Sequence, residues 1–94
     1  MSGLLDAETI RERLLASPGW LLEDGHHLAK EWRFADFAAA LGFLNRAAAI
    51  CEQLDHHADF ELAWGRVGVK TWSHDAGGVT ERDLRLVAEI ESIA

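Results

Sequence analysis

Apolar residues return along this chain in two rhythms, one of three to four residues and one of two. The first rhythm opens at Leu4 to Leu15, where Ile10, Leu14 and Leu15 form a short stripe and Thr9 and Glu12 have capping-box spacing. Ser17-Pro18-Gly19 ends this helix. Trp20-Leu21-Leu22 then predicts a short strand, and Asp24-Gly25 a hairpin turn. Leu28 to Phe34 is the returning strand, with Leu28, Lys30, Trp32 and Phe34 on one face. At Asp36, a helix N-cap, the rhythm changes again. The helix it opens runs to about Asp55, with Phe37, Leu41, Leu44, Ala48 and Cys51 on one side and alanines filling much of the rest. Such a helix spans roughly 25–30 Å, about the width of a small domain, which suits a helix laid across a sheet.

Phe60 to Ser73 predicts a second hairpin. A loop at Gly65-Arg66 pairs Trp64 with Val67, Leu62 with Val69 and Phe60 with Thr71, and sets Glu61 opposite Lys70. Asp75-Ala76-Gly77-Gly78 is a loop. Thr80 and Asp83 then cap a last helix carrying Leu84, Val87, Ile90 and Ile93. The order α-β-β-α-β-β-α, with strands in hairpins, describes a single α+β domain over residues 1–94, built on an antiparallel sheet.

Composition narrows the function. A chain of 94 residues buries a modest core, and assembly with copies of itself is a common way to add buried surface; the alanine-rich helix and four tryptophans suit a dimer or tetramer. The net charge of −7 argues against a direct nucleic-acid contact surface, which needs clustered Lys and Arg. No long apolar run predicts a membrane span, and no charged-then-apolar start predicts a signal peptide. One cysteine, Cys51, cannot form an internal disulfide, so a reducing cytoplasmic compartment is the expectation; on its helix it reads as a packing residue.

Chemistry concentrates in the histidines. Five occur, as His26-His27, His56-His57 and His74. Histidine exchanges protons near neutrality at little cost, which suits acid–base catalysis. The hairpin register, continued outward, sets His57 opposite His74 at the end of the long helix. Both His56 and His57 reach one ligand only if the backbone bends between them. Other readings of the same residues stay open: solvated surface histidines, or a zinc site completed by Asp59 or Asp75, although the chain has no cysteine pair and no His-x3-His. His26-His27 at the hairpin turn are expected to be solvated, and their loss is expected to leave any activity intact.

The segment Glu52-Gln-Leu-Asp-His-His-Ala-Asp-Phe60 resembles the signature of the pterin-4a-carbinolamine dehydratases. Ser73-His74 and Glu81-Arg82-Asp83-Leu84 follow at the family's spacing, and Gly19-Trp20, Phe34 to Phe37 and Leu41-Gly42-Phe43-Leu44 resemble its strand-to-helix region. Ala58 stands where the family usually has proline, and Phe60 where tryptophan is common. The resemblance implies a four-stranded antiparallel sheet with three helices on one face, and a homodimer or homotetramer. It implies a hydro-lyase that dehydrates 4a-hydroxytetrahydropterin to quinonoid dihydropterin, in support of tetrahydrobiopterin recycling, with no metal and no cofactor. On that basis His56, His57 and His74 are the expected catalytic residues, and Glu52, Ala58, Ser73, Asp75 and Ala76 the expected substrate-binding ones. Asp55 and Asp83 are lesser candidates for the site, since a solvated or capping role explains each. The resemblance also leaves open a non-catalytic dimerisation or assembly module on the same scaffold.

Overall fold

The structure, a computed structural model, describes residues 3–94. Its elements run α1 (Ala7–Leu14), β1 (Leu21–Glu23), β2 (His27–Arg33), α2 (Phe37–Leu54), β3 (Asp59–Ala63), β4 (Arg66–Thr71) and α3 (Glu81–Ile93). The strands form one antiparallel sheet in the order β1-β2-β4-β3. This is the α+β fold the sequence predicts, with the helices covering one face. Among the described residues no helix is long and apolar enough to cross a membrane.

Local chemistry accounts for the element ends. Asp36 caps α2 by accepting from the Ala39 N–H at 2.8 Å. Thr80 and Asp83 form a reciprocal capping box on α3. The first helix is shorter than the apolar stripe suggests: Asp6 accepts from the Thr9 N–H at 2.8 Å and starts it at Ala7, in place of the Thr9–Glu12 pairing. Asp24 and Gly25 both take positive φ, the twist a tight hairpin turn demands, and Glu23 pairs with His27 across it.

The second hairpin departs from its predicted register. The turn is Trp64-Gly65, one residue earlier than expected, so Leu62 pairs with Val67 and Phe60 with Val69. Glu61 faces Gly68, and Asp59 takes the place opposite Lys70. The physical reason lies outside the hairpin. Phe34 donates to the Gly65 carbonyl at 2.8 Å, and a Cβ on Gly65 would stand 2.9 Å from the Phe34 carbonyl oxygen. The end of β2 thus selects glycine at this turn. Trp64 is left exposed, and Arg66 enters β4 to meet Glu61 at 2.6 Å and Glu31 at 3.1 Å. A shift of two in the pairing sum keeps the same side chains inward, so the core survives the change.

The core is built from Ile10, Leu14, Trp20, Leu28, Phe43, Val67, Val69, Val79, Leu86, Val87 and Ile90 with smaller residues between. On α2 the buried side is Ala40, Phe43, Ala47, Ile50 and Cys51, while Phe37 and Leu41 stay exposed. The stripe predicted from the larger residues is therefore the neighbouring one. Alanines admit the helix close to the sheet, which a count of bulky side chains overlooks. Cys51 is buried as expected, and burial pushes its thiol up from its ordinary value.

Candidate active site

Helix α2 ends by turning left-handed. Asp55 takes φ 50° and ψ 42°, and the His56 N–H donates back to the Cys51 carbonyl at 3.1 Å. Aspartate tolerates this conformation better than most residues. The reversal is the bend that His56 and His57 require, and it sends their side chains into different surroundings.

His56 turns inward and is buried. Its Nε2 lies 2.6 Å from Asp83, whose side chain is fully buried at the first turn of α3. Asp83 also accepts from Thr71 Oγ1 at 2.7 Å, Ser73 Oγ at 2.9 Å and the Thr80 N–H at 2.9 Å. One carboxylate therefore joins the end of β4, the following loop, the helix cap and the imidazole. Since an ionised carboxylate only accepts, His56 Nε2 carries hydrogen and Nδ1 is left to exchange a proton. His57 turns outward, and its Nε2 donates to Glu52 one turn back on α2. Glu52 thus orients His57, the second member of the pair.

His74 arrives from the opposite direction. The predicted route, across an extended hairpin from His57, fails with the register. The chain instead folds after β4 into a tight loop, in which Ser73 pairs with Gly78 and the Ala76 and Gly77 N–H groups donate to the Ser73 carbonyl. Gly77 supplies positive φ there. This loop presents His74 and Asp75 beside the end of α2. Asp55, His56, His57, Trp72, His74, Asp75 and Arg82 line one recess of about 330 Å³. Arg82 pairs with Asp75 at 2.6 Å and holds its carboxyl below the usual carboxylate range.

Of the expected substrate contacts, Asp75 lines the recess and Glu52 stands behind His57. Ser73 does not line it: its hydroxyl is buried between Asp83 and Thr80, at 2.9 and 2.7 Å. Ala58 and Ala76 are half-buried and also lie outside the lining. Four residues lay outside the expected set: Asp55, Trp72 and Arg82, which line the recess, and Asp83, which holds His56. Asp55 and Asp83 ranked only as lesser candidates because a solvated or capping role already explained an acidic residue at each. Trp72 and Arg82 carried no spacing signal. His26 and His27, expected to be solvated, are half-buried against Trp72, with ring centroids 5.1 and 5.8 Å from it. A larger depression, about 540 Å³, lies on the open sheet face among Glu23, Glu31, Asp59, Glu61, Arg66 and Lys70. It holds no histidine and its cations face carboxylates, so the smaller recess is the better candidate for proton transfer. Among the described residues no group of three or more His, Cys, Asp or Glu side chains is placed to hold a metal ion.

Comparison with known proteins identifies the family. The family model described as pterin 4 alpha carbinolamine dehydratase matches residues 3–93. A protein of Chloroflexus aggregans is 39% identical over 93 residues, covering 99% of this chain and 98% of its own. One of Sinorhizobium fredii is 41% identical over 91 residues, covering 96% and 87%. Both are named, provisionally, for that dehydratase. The crystal structure of a transcriptional coactivator/pterin dehydratase from Brucella melitensis superposes with a TM-score of 0.89 at 36% identity, over 96% of this chain and 97% of the other. A pterin dehydratase-like protein identified as a RuBisCO assembly factor in the alpha-carboxysome shares the fold alone, at TM-score 0.61 and 22% identity over 72% and 79% of the two chains. By family model, sequence identity and fold, the chain belongs to the pterin-4a-carbinolamine dehydratase family.

Proposed function

We propose that the chain dehydrates a 4a-hydroxytetrahydropterin to the quinonoid dihydropterin and water, and so serves tetrahydrobiopterin recycling. The observation that carries this reading is the meeting of His56, His57 and His74 at one recess, with His56 and His57 each hydrogen-bonded to a carboxylate. Hydroxide is a poor leaving group. A protonated imidazole, from His56 or His74, donates to the C4a hydroxyl as the C–O bond breaks and water departs. The N5 lone pair closes the C4a–N5 double bond, and a neutral imidazole, assigned to His57, takes the N5 proton. One proton enters and one leaves, so the reaction needs no redox partner. Each positioned proton transfer contributes about 10²–10⁴ in rate. Asp75 and Arg82 at the rim suit polar contacts to the pterin's amide and amino edge.

Homo-oligomerisation belongs to the same proposal. Phe37 and Leu41, one turn apart on α2, are exposed at 44% and 37%, an apolar face that a second copy would cover. A cytoplasmic location suits the lone, buried Cys51. The alternative, a non-catalytic assembly module, predicts that the histidines can be replaced without loss of function. The test is a spectrophotometric dehydration assay on a synthetic carbinolamine, with each histidine replaced in turn. Loss of rate on replacing His56, His57 or His74 supports the enzyme; a wild-type chain that leaves the spontaneous rate unchanged refutes it.

A further inference from the structure

Two of the three recess histidines have hydrogen-bonded orienting partners: Asp83 for His56 and Glu52 for His57. His74 is exposed, and among the described residues its ring has no hydrogen-bond partner. What it has is Trp72. The two rings are stacked, with centroids 4.4 Å apart and planes 25° from parallel.

Trp72 is held in turn by the β1–β2 hairpin. His26 and His27 touch its ring at centroid distances of 5.1 and 5.8 Å. These two histidines form a directed chain. Glu23 only accepts, so His27 Nε2–H donates to it across 3.0 Å. The lone pair of a neutral His27 is then on Nδ1, 3.2 Å from His26 Nδ1, which supplies the hydrogen. The arrangement fixes both rings, and the two rings meet edge to face at 77°. Trp72 has no place among the side chains packed against the hydrophobic core, unlike Trp20 and Trp32. Its contacts run from the hairpin turn to His74.

We propose that Trp72, backed by His26 and His27, is the positioning residue for His74, so that the β1–β2 turn forms a supporting wall of the active site. The proposal rests on the dehydratase reading for its kinetic consequence, but not for its structural one. It reverses the expectation that His26 and His27 are bystanders. An aromatic stack restricts the imidazole to one plane and leaves both ring nitrogens free for proton exchange, which a hydrogen-bonded partner would not.

The test compares Trp72→Leu and Trp72→Phe with wild type in the full chain. The first readout is the Cε1–H proton resonance of His74, assigned by its loss in His74→Ala. Stacked on an indole it is shifted upfield; Trp72→Leu moves it downfield and Trp72→Phe restores part of the shift. His26→Ala, which loosens Trp72 without replacing it, gives a smaller downfield move. The second readout is kinetic. Trp72→Leu lowers kcat about tenfold with KM changed less than about twofold, a loss of orientation rather than binding. In a His74→Ala background the same substitution costs nothing further. A His74 resonance that ignores Trp72→Leu, or an equal loss of kcat with and without His74, overturns the proposal. The resonance is read without substrate, so a chain lacking dehydratase activity would sink the function while the stack is still judged by NMR.

Discussion

Replacing Asp83 by asparagine changes one atom at the point where the fold and the site meet. The carboxylate accepts from His56 Nε2, Thr71 Oγ1, Ser73 Oγ and the Thr80 N–H, all within 2.6–2.9 Å. Asparagine offers one acceptor oxygen and a donor NH₂. If the NH₂ faces Thr80, two N–H groups oppose one another and the α3 cap is lost. If it faces His56, the imidazole must bare Nε2 and move its hydrogen to Nδ1. The Thr71 and Ser73 hydroxyls can rotate, so one or two of the four contacts are lost. A buried group left without a partner costs about 1–3 kcal/mol, and a cap about 1 kcal/mol. With the NH₂ toward Thr80, a net loss of roughly 3 kcal/mol lowers the Tm of a domain this size by about 12–24 °C. With the NH₂ toward His56 the cap survives, and the wrong His56 tautomer instead lowers kcat by about 10²–10³. Thr71→Val is the companion variant: it removes one donor to the same carboxylate, costs about 1 kcal/mol, and leaves His56 in place. Circular dichroism melts and dehydration rates, taken where all variants are folded, separate the two effects. An Asp83→Asn protein that both melts within a few degrees of wild type and loses no more activity than Thr71→Val refutes the idea that this carboxylate orients His56.

Two further outcomes are expected. The carboxyls of Asp6, Asp75 and Glu81 are held below their ordinary values by hydrogen bonds from Thr9, Arg82 and Arg13 respectively. Folded values below unfolded ones mean that these groups stabilise the fold fully above the ordinary carboxylate range, about 4, and lose that contribution as pH falls through the depressed values. The urea midpoint should therefore decline below about pH 4; a midpoint flat down to about pH 2 contradicts the three pairings. For assembly, light scattering should give a multiple of the 10.4 kDa chain mass, with Leu41→Glu shifting it toward the monomer; a monomer for wild type contradicts the proposed α2 interface.

How much of this was legible in the sequence depends on whether the determinant was local. The caps at Asp36 and Thr80 act over three residues, and their helices begin where those residues predict. The β3–β4 register depends on Phe34 meeting Gly65, a contact between segments about 30 residues apart, and no pattern within the hairpin encodes it. The turn therefore slipped by one residue, and the pairing that brought His57 opposite His74 slipped with it. The three histidines still meet, because the Asp55 reversal and the Ser73–Gly78 loop deliver them by a different path. The side of α2 that faces the sheet was misjudged because Ala40 and Ala47 are buried as fully as Phe43 while weighing little in an apolar pattern. Asp83 illustrates a further limit. A capping role and a site role occupy the same carboxylate, and spacing exposes only the first.

The central claim is that three histidines on one recess carry out the dehydration. The most direct measurement adds the purified chain in catalytic amount to a freshly generated 4a-hydroxytetrahydropterin and follows formation of the quinonoid dihydropterin by absorbance. The account predicts a rate above the spontaneous one, lowered about 10–10³-fold by each of His56→Ala, His57→Ala and His74→Ala, and lowered further, though less than multiplicatively, by pairs of them. Full activity retained by both His57→Ala and His74→Ala, or a wild-type chain no faster than buffer, would contradict it.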